Sequence, residues 1–205
     1  MPTESKTKIA ILISGRGSNM LALAEAIEAG RVPHSEVAIV VSDQPNAAGL
    51  ARAQSLGLAT AIVERSGRTR DEHDGELAML LQQHKVDFVC LAGYMRLLSL
   101  NLLNAFSNRI LNIHPSLLPA FPGLDAQKQA LDHGGKFTGC TVHFVDQTLD
   151  GGPIIAQRVV PILPKDNEET LSARILEEEH KLYAEALAIV VSGNYEIDGR
   201  RVVLR

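Results

Sequence analysis

Short apolar runs alternate with segments of helical periodicity along the first half of the chain. Residues 9–13 are apolar throughout, as in a buried strand, and an apolar-rich helix pattern follows from Asn19 to Ala29 and stops at Gly30. The same order then recurs. Strands are predicted at 36–41, 59–63, 86–92 and 109–114, and helices at 46–57, capped by Asn46, at 70–84, and at 99–106, capped by Ser99. This alternation predicts an α/β fold with a doubly wound, mostly parallel, Rossmann-like sheet.

The pattern changes after a predicted helix at 124–133. Two long strand patterns, 138–145 and 154–163, follow each other without a helix between them, which predicts antiparallel strands added toward the C-terminus. Asp166 or Asn167 is predicted to cap a long helix that ends near residue 191. Its inward stripe is predicted to contain Leu171, Ile175 and Leu182, with Glu178 and Glu179 on or beside it. The tail 195–204 contains Asp198-Gly199, a hairpin signal.

Length, charge and composition limit the number of domains and the kinds of partner. A length of 205 residues predicts a single domain, residues 1–205. The net charge of −4, with acids and bases interspersed, favours neither a nucleic-acid partner nor an anionic membrane. Cys90 and Cys140 lie in apolar strand patterns and are predicted to be buried, reduced thiols. No early apolar run is long enough for a signal peptide or a membrane span, so we expect a cytoplasmic protein.

Three chemically complementary side chains lie within residues 111–153. Asn112 and His114 are two residues apart at the end of an apolar run, so in a strand both side chains leave the same face. An amide N–H can stabilise an oxygen that gains negative charge, and an imidazole can move a proton near neutral pH. Asp150 precedes two glycines in a predicted tight turn, and its carboxylate can orient the imidazole. Singly, each is also explained as a strand-end or turn residue; together they suit acyl transfer through a tetrahedral intermediate.

A glycine loop, residues 14–19, joins the first predicted strand to the first predicted helix. Backbone N–H groups at such a helix start bind anions. Met20 occupies the position of the third glycine of a dinucleotide-binding motif, and no Gly-Lys-Ser/Thr is present. The loop therefore predicts a site for a single phosphate, with an ordinary glycine turn as the alternative. Asp43, which stands where a dinucleotide fold holds a ribose, is interpreted as a turn residue.

The motifs of the central segment resemble those of the folate-dependent formyltransferases. They are Asn-x-His-Pro-Ser-Leu-Leu-Pro from Asn112, Phe-Pro-Gly from Phe121, Gly-Cys-Thr-Val-His-Phe-Val from Gly139 and Leu-Asp-Gly-Gly-Pro from Leu149. The resemblance extends over residues 9–191 and is greatest to the members that act on glycinamide ribonucleotide in de novo purine biosynthesis. It implies the formyltransferase fold. It also implies transfer of a formyl group from the cosubstrate 10-formyltetrahydrofolate to the ribonucleotide amine, without a metal and without a covalent enzyme intermediate.

The resemblance also implies roles for individual residues. Catalysis is assigned to Asn112, His114 and Asp150. The ribonucleotide is assigned to Gly17, Ser18 and Asn19, which hold its phosphate, and to Glu179, which receives its amino end. The residues assigned to the folate are Arg70, Met95, Arg96, Leu97, Leu98, Asn112, Asp146, Gln147, Thr148, Leu149 and Asp150.

The chain departs from that family at several positions. Arg16 stands where the family more often has Asn, and residues 146–148 differ among members, so these side chains carry no firm role. Arg70 is as well explained as a solvated arginine at a helix start. His143, in an alternating strand pattern, is interpreted as structural. Monomer and homodimer both remain open.

Three other functions remain as alternatives. Formylation of methionyl-tRNA uses a similar core, but that family adds a C-terminal tRNA-binding domain and has Arg-Gly-Ala-Ala-Pro where this chain has residues 122–126, Pro-Gly-Leu-Asp-Ala. Hydrolysis of formyltetrahydrofolate is closer, although those enzymes have His in place of Pro115 and an N-terminal regulatory domain. A non-enzymatic sensor of a phosphorylated metabolite would explain the glycine loop but not Asn112, His114 and Asp150.

Overall fold

The computed structural model describes residues 5–205. These residues form two compact units, which divide between Leu111 and Asn112. The strand β5 (Ile110–His114) contains the point of division. Each unit has its own buried apolar residues.

The first unit repeats a strand and a helix four times. Its elements are β1 (Thr7–Ile13), α1 (Ser18–Glu28), β2 (Ser35–Ser42), α2 (Ala48–Ser55), β3 (Thr60–Ile62), α3 (Arg70–Gln83), β4 (Phe88–Leu91) and α4 (Leu100–Ala105). The strands lie in the order β3-β2-β1-β4, and all three pairings are parallel. Because β1 is central and apolar, its residues 9–13 are completely buried. The predicted doubly wound parallel arrangement is confirmed.

The second unit contains the antiparallel strands. After β5 come α5 (Ala126–Asp132), β6 (Phe137–Phe144), β7 (Ile154–Pro161), α6 (Glu168–Ser192), β8 (Tyr195–Asp198) and β9 (Arg201–Leu204). β6 pairs with β7 and β8 pairs with β9, both antiparallel, while β7 and β9 are parallel at one residue pair. These pairings confirm the antiparallel strands predicted toward the C-terminus and the hairpin at Asp198-Gly199.

Local sequence predicted the N-terminal cap of α6 but not that of α2. Asn167 caps α6 by accepting a hydrogen bond from the N–H of Thr170 at 2.9 Å, which decides between the two predicted caps. The predicted capping of α2 by Asn46 is wrong. The residue before α2 is Ala47, and the N–H of Gly49 donates instead to the carbonyl of Gly15 at 3.0 Å.

Three further interpretations of the sequence are corrected or confirmed by backbone conformation and burial. Helix α5 begins at Ala126, two residues later than predicted, because Asp125 adopts a left-handed conformation with φ of 55°. Asp43 is more than a turn residue, since its side chain is completely buried and lies 3.4 Å from Arg65. Cys90 and Cys140 are buried free thiols, as predicted. Within residues 5–205, no helix is long and apolar enough to cross a membrane.

Candidate active site and glycine-loop pocket

Asn112 and His114 lie at the C-terminal end of β5. The side chain of Asn112 is half-buried and that of His114 is almost completely buried. The strand places both side chains on one face, two residues apart, as the alternation of a strand requires. Local sequence therefore fixes this pair, and long-range contacts within the second unit bring the remaining groups to it.

His114 has an acceptor beside each ring nitrogen. Its Nε2 lies 2.8 Å from the carbonyl oxygen of Phe121, and its Nδ1 lies 3.4 Å from Oδ2 of Asp150. A carbonyl oxygen only accepts, so Nε2 carries a hydrogen. The carboxylate opposite Nδ1 suits a second hydrogen there. The Phe121 carbonyl and the Asp150 carboxylate together orient the imidazole ring.

Asp150 is held in place by its own turn. Its backbone φ is 48°, a left-handed conformation that is uncommon for a residue other than glycine. The carboxylate Oδ2 accepts a hydrogen bond from the backbone N–H of Gly123 at 2.8 Å. A Cβ on Gly152 would lie 1.9 Å from the carbonyl oxygen of Phe144, so only glycine fits at that position. The turn thus fixes the carboxylate beside the imidazole.

His143, which the sequence analysis treated as structural, contacts two of the three predicted catalytic residues. Its Nδ1 lies 2.8 Å from the carbonyl oxygen of Phe144, so Nδ1 is the donor and Nε2 the acceptor of the neutral ring. Nε2 then accepts from Nδ2 of Asn112 at 3.2 Å and lies 3.7 Å from Oδ1 of Asp150. Burial lowers the pKa of His143, which keeps the ring neutral.

The contact with His143 orients the Asn112 amide. One N–H of Nδ2 donates to His143, and the second has no hydrogen-bond partner among the described residues. In sequence, the only signal for His143 is an imidazole within an alternating strand pattern, and its partner becomes visible only when the strand order is known.

The loop after β6 is exposed. Residues 146–149 all face solvent, and the N–H of Thr148 donates to Oδ1 of Asp146 at 2.7 Å. Leu149, which precedes Asp150, is 55% exposed. Glu179 lies on α6 and is 93% buried on the predicted inward stripe with Leu171, Ile175 and Leu182.

In the first unit, the glycine loop packs tightly against the start of α2. Gly17 has a φ of 73° and precedes α1, and a Cβ placed on it would lie 2.9 Å from Cα of Gly49. A Cβ on Gly49 would lie 2.6 Å from Cδ1 of Ile13 and 3.1 Å from Cα of Gly17. The two glycines are therefore in backbone contact. Gly17 and Asn19 are buried, and Ser18 is partly exposed.

A pocket of about 530 Å³ opens beside this loop. Its lining residues are Ser14, Gly15, Arg16, Gln44, Asn46, Ala47, Ala48, Arg65 and Met95. The loop residues predicted to hold a phosphate, 17–19, are not in this lining. The lining instead contains the three residues before them, 14–16. It thus includes Arg16 together with Arg65, two arginines to which the sequence assigned no firm role.

The predicted folate-binding turn begins at the same pocket. The N–H of Met95 donates to Oγ of Ser14 at 3.0 Å, which joins the turn to the glycine loop. Met95 and Leu97 are more than half exposed, Arg96 and Leu98 are partly exposed, and Ser99 caps α4. Arg70 is exposed at the first position of α3 and forms no ion pair within residues 5–205.

Within residues 5–205, no group of three or more His, Cys, Asp and Glu side chains is arranged to hold a metal ion. The groups that the second unit brings together are instead a hydrogen-bond donor, an imidazole and a carboxylate.

Comparison with known proteins identifies the family of this chain. The family model described as formyl transferase matches residues 7–187. A phosphoribosylglycinamide formyltransferase of Escherichia coli is 38% identical over 202 residues, which are 95% of each chain. A crystal structure of glycinamide ribonucleotide transformylase 1 from Symbiobacterium toebii is 50% identical, superposes with a TM-score of 0.96, and covers 98% of this chain and 95% of that one.

The similarity also extends to parts of much longer proteins. The trifunctional purine biosynthetic protein adenosine-3 of Drosophila melanogaster is 44% identical over 195 residues. Those residues are 94% of this chain, but the chain spans only 14% of the length of that relative. The family match covers most of the chain and includes β5, the turn at Asp150 and the glycine loop. The chain belongs to the formyl transferase family.

Proposed function

We propose that this protein transfers the formyl group of 10-formyltetrahydrofolate to the amine of glycinamide ribonucleotide, a step of de novo purine biosynthesis. The observation that carries the proposal is the contact network that joins Asn112, His114 and Asp150. His143 contacts both the Asn112 amide and the Asp150 carboxylate, and that carboxylate lies 3.4 Å from Nδ1 of His114. The names of the similar proteins from Escherichia coli and Symbiobacterium toebii support this choice of substrate.

The chemistry follows from these groups. The substrate amine attacks the formyl carbon, a new C–N bond forms, and the carbonyl oxygen becomes an oxyanion. The second N–H of Asn112 and the Nδ1–H of His114 donate to that oxygen. The 3.4 Å separation between Nδ1 and Asp150 is longer than a full hydrogen bond, so this N–H can be shared with the oxyanion.

Collapse of the intermediate completes the transfer. The bond between the formyl carbon and the folate nitrogen breaks, the attacking nitrogen loses a proton, and the leaving nitrogen gains one. Asp150 holds the imidazole in its charged form and helps to relay this proton. No metal and no covalent enzyme intermediate takes part in the proposed sequence.

The remaining site residues are proposed in the same roles as the resemblance implies. Glu179 receives the amine, the loop 17–19 binds the phosphate, and the turn 95–98, Arg70 and the loop 146–149 contact the folate. The exposed apolar side chains of Met95 and Leu97 support ligand contact by the turn 95–98, and that of Leu149 supports ligand contact by the loop 146–149. We further propose that residues 1–205 act as one formyltransferase domain in the cytoplasm, as a monomer or a homodimer.

A single assay distinguishes this proposal from its alternatives. The protein is incubated with 10-formyltetrahydrofolate, with and without glycinamide ribonucleotide, and the folate absorbance is followed. We expect loss of formylfolate only when the amine is present. Loss without the amine would indicate a hydrolase, and no loss in either case would indicate a binding protein.

A further inference from the structure

The pocket beside the glycine loop is lined by two arginines, Arg16 and Arg65, and by no acidic residue. Arg65 follows β3, so the chain brings it to the loop from a different strand. Arg16 is exposed and forms no ion pair within the part of the chain that the structure describes. A pocket with this lining suits an anion.

The guanidinium of Arg65 is held in one orientation. Its Nη1 lies 3.4 Å from Oδ2 of Asp43. With the Gln44 amide turned so that its oxygen faces the guanidinium, that oxygen accepts from Nε and Nη2 at 2.7 Å each. Since Arg has five N–H groups, these contacts leave N–H groups on Nη1 and Nη2 for a ligand.

Asp43 and Arg65 differ in burial. The side chain of Asp43 is completely buried, and neither of its oxygens has a hydrogen-bond partner among residues 5–205, so Arg65 is its charge partner. The side chain of Arg65 is 46% exposed and lines the pocket. An arginine fixed by a buried carboxylate loses less conformational entropy when it binds a ligand.

From this arrangement we infer that Arg65 is a specificity-determining residue for the phosphate of the substrate. Arg65 and Arg16 bind the phosphate monoester beside Gly15, and Asp43 and Gln44 are positioning residues for Arg65. The planar guanidinium matches two phosphate oxygens. Because Asp43 neutralises Arg65, Arg16 supplies the net positive charge. The inference rests on the proposed function and adds the residues that select a phosphorylated amine.

A competing explanation is that Arg65 only neutralises the buried Asp43. Under that explanation, Arg65→Gln is harmful because it leaves a buried carboxylate without a partner. The double variant Asp43→Asn/Arg65→Gln separates the two cases, since it removes the guanidinium and the buried charge together. Arg68→Gln is the matched control, because Arg68 is an arginine of the same loop that pairs with Glu76.

The measurement is the ratio of kcat/KM for glycinamide ribonucleotide to kcat/KM for the corresponding riboside without phosphate. We expect this ratio to fall on the order of 10- to 100-fold in Arg65→Gln and equally in the double variant, as for loss of a hydrogen bond to a charged group. Arg68→Gln should leave the ratio unchanged, and Asp43→Asn, which keeps the guanidinium but weakens its hold, should lower the ratio less than Arg65→Gln does. A double variant with the wild-type ratio would overturn the inference.

Binding of ribose 5-phosphate, followed by calorimetry, gives a readout that does not depend on turnover. The affinity should fall in Arg65→Gln and in the double variant, and the unfolding midpoint of each variant shows whether it is folded. An active wild type whose double variant binds ribose 5-phosphate normally would overturn this inference alone. A wild type without formyl transfer would overturn the proposed function, whatever the effect of Arg65 on phosphate binding.

Discussion

At the scale of the residue, the neutral His143 determines what Asn112 can do. An unprotonated Nε2 accepts from one N–H of the amide, so the amide cannot rotate its oxygen toward the reacting carbonyl without losing that bond. The buried ring stays neutral because burial lowers its pKa. Asn112 is therefore oriented as a donor without a ligand, and the proposed mechanism uses this preorganisation to stabilise the oxyanion.

Replacement of Asn112 by Ala tests this donor role. The variant should lose about 100-fold or more in kcat, the scale of a single oxyanion-hole donor, because the interaction strengthens only as the oxyanion forms. The affinity for the folate, measured by fluorescence titration, should change little. A large loss of folate affinity with normal kcat would instead make Asn112 a ground-state binding residue.

His114 and Asp150 are in direct contact, so their contributions should not add. Asp150→Asn keeps the shape of the side chain but removes the charge, and His114→Ala removes both a donor and a proton carrier. Each should lower kcat, and the double variant should be scarcely worse than the more damaged single variant. Strictly additive losses in ln kcat would show that the two residues act independently and that Asp150 has only a turn role.

At the scale of the element, α6 depends on one ion pair at its start. Asp166 accepts from both terminal nitrogens of Arg174, at 2.7 and 2.8 Å, and from the N–H of Leu163 at 2.7 Å. These bonds, first those from Arg174, hold the pKa of Asp166 well below its usual range. A carboxyl whose pKa is lower in the folded state adds stability above its unfolded pKa of about 3.9, and this stability is lost as the pH falls below that value.

Asp166→Asn should therefore be less stable than the wild type at pH 7, and the difference should shrink below about pH 4. Urea unfolding of both proteins at pH 7 and pH 3 measures it. Glu196→Gln is the control, because the pair between Glu196 and Arg205 is exposed and should contribute little at either pH. A difference that is constant with pH would mean that the hydrogen bonds of residue 166 matter and its charge does not.

A buried pair of side chains on α3 also supports the start of α4, next to the predicted folate-binding turn. His73 and Asp74 of α3 are completely buried; His73 lies 2.8 Å from the carbonyl of Val63 and from Oδ1 of Asp74. The other carboxylate oxygen of Asp74 accepts from the backbone N–H of Ser99, the cap of α4. One buried pair thus links the loop before α3 to the start of α4, and Met95–Leu98 immediately precede that start.

At the scale of the whole molecule, each unit contains one buried thiol. Cys90 lies on β4 and Cys140 on β6. Burial, and then the nearby Glu179 and Glu178, raise the pKa of Cys140 to about 12, so almost no thiolate is present at pH 8. Neither thiol should react with a chromogenic disulfide reagent in native buffer at pH 8 within minutes. Both should react in denaturant, and a thiol that reacts fast in native buffer would show that its unit opens locally.

The sequence predicted the elements well because their signals are local. The apolar run at residues 9–13 and the alternation of Asn112 and His114 depend on nearest neighbours along the chain. Contacts between distant residues were not predictable in this way. His143 meets Asn112 only because of the strand order, and Asp43 meets Arg65 across two strand-to-helix connections. The cap assigned to Asn46 failed for the same reason, since Gly15 supplied the acceptor from another loop.

The contact between Gly17 and Gly49 has a consequence for protein engineering. A Cβ on Gly17 would meet the backbone of Gly49, and a Cβ on Gly49 would meet the Ile13 side chain and the backbones of Gly15 and Gly17. Because no residue is smaller than glycine, a substitution at one of the two positions cannot be compensated by a smaller residue at the other. A combinatorial library that randomises both codons should return active clones with glycine at both. Gly49 would then look like a ligand-binding position in such data, although what it contacts is the glycine loop.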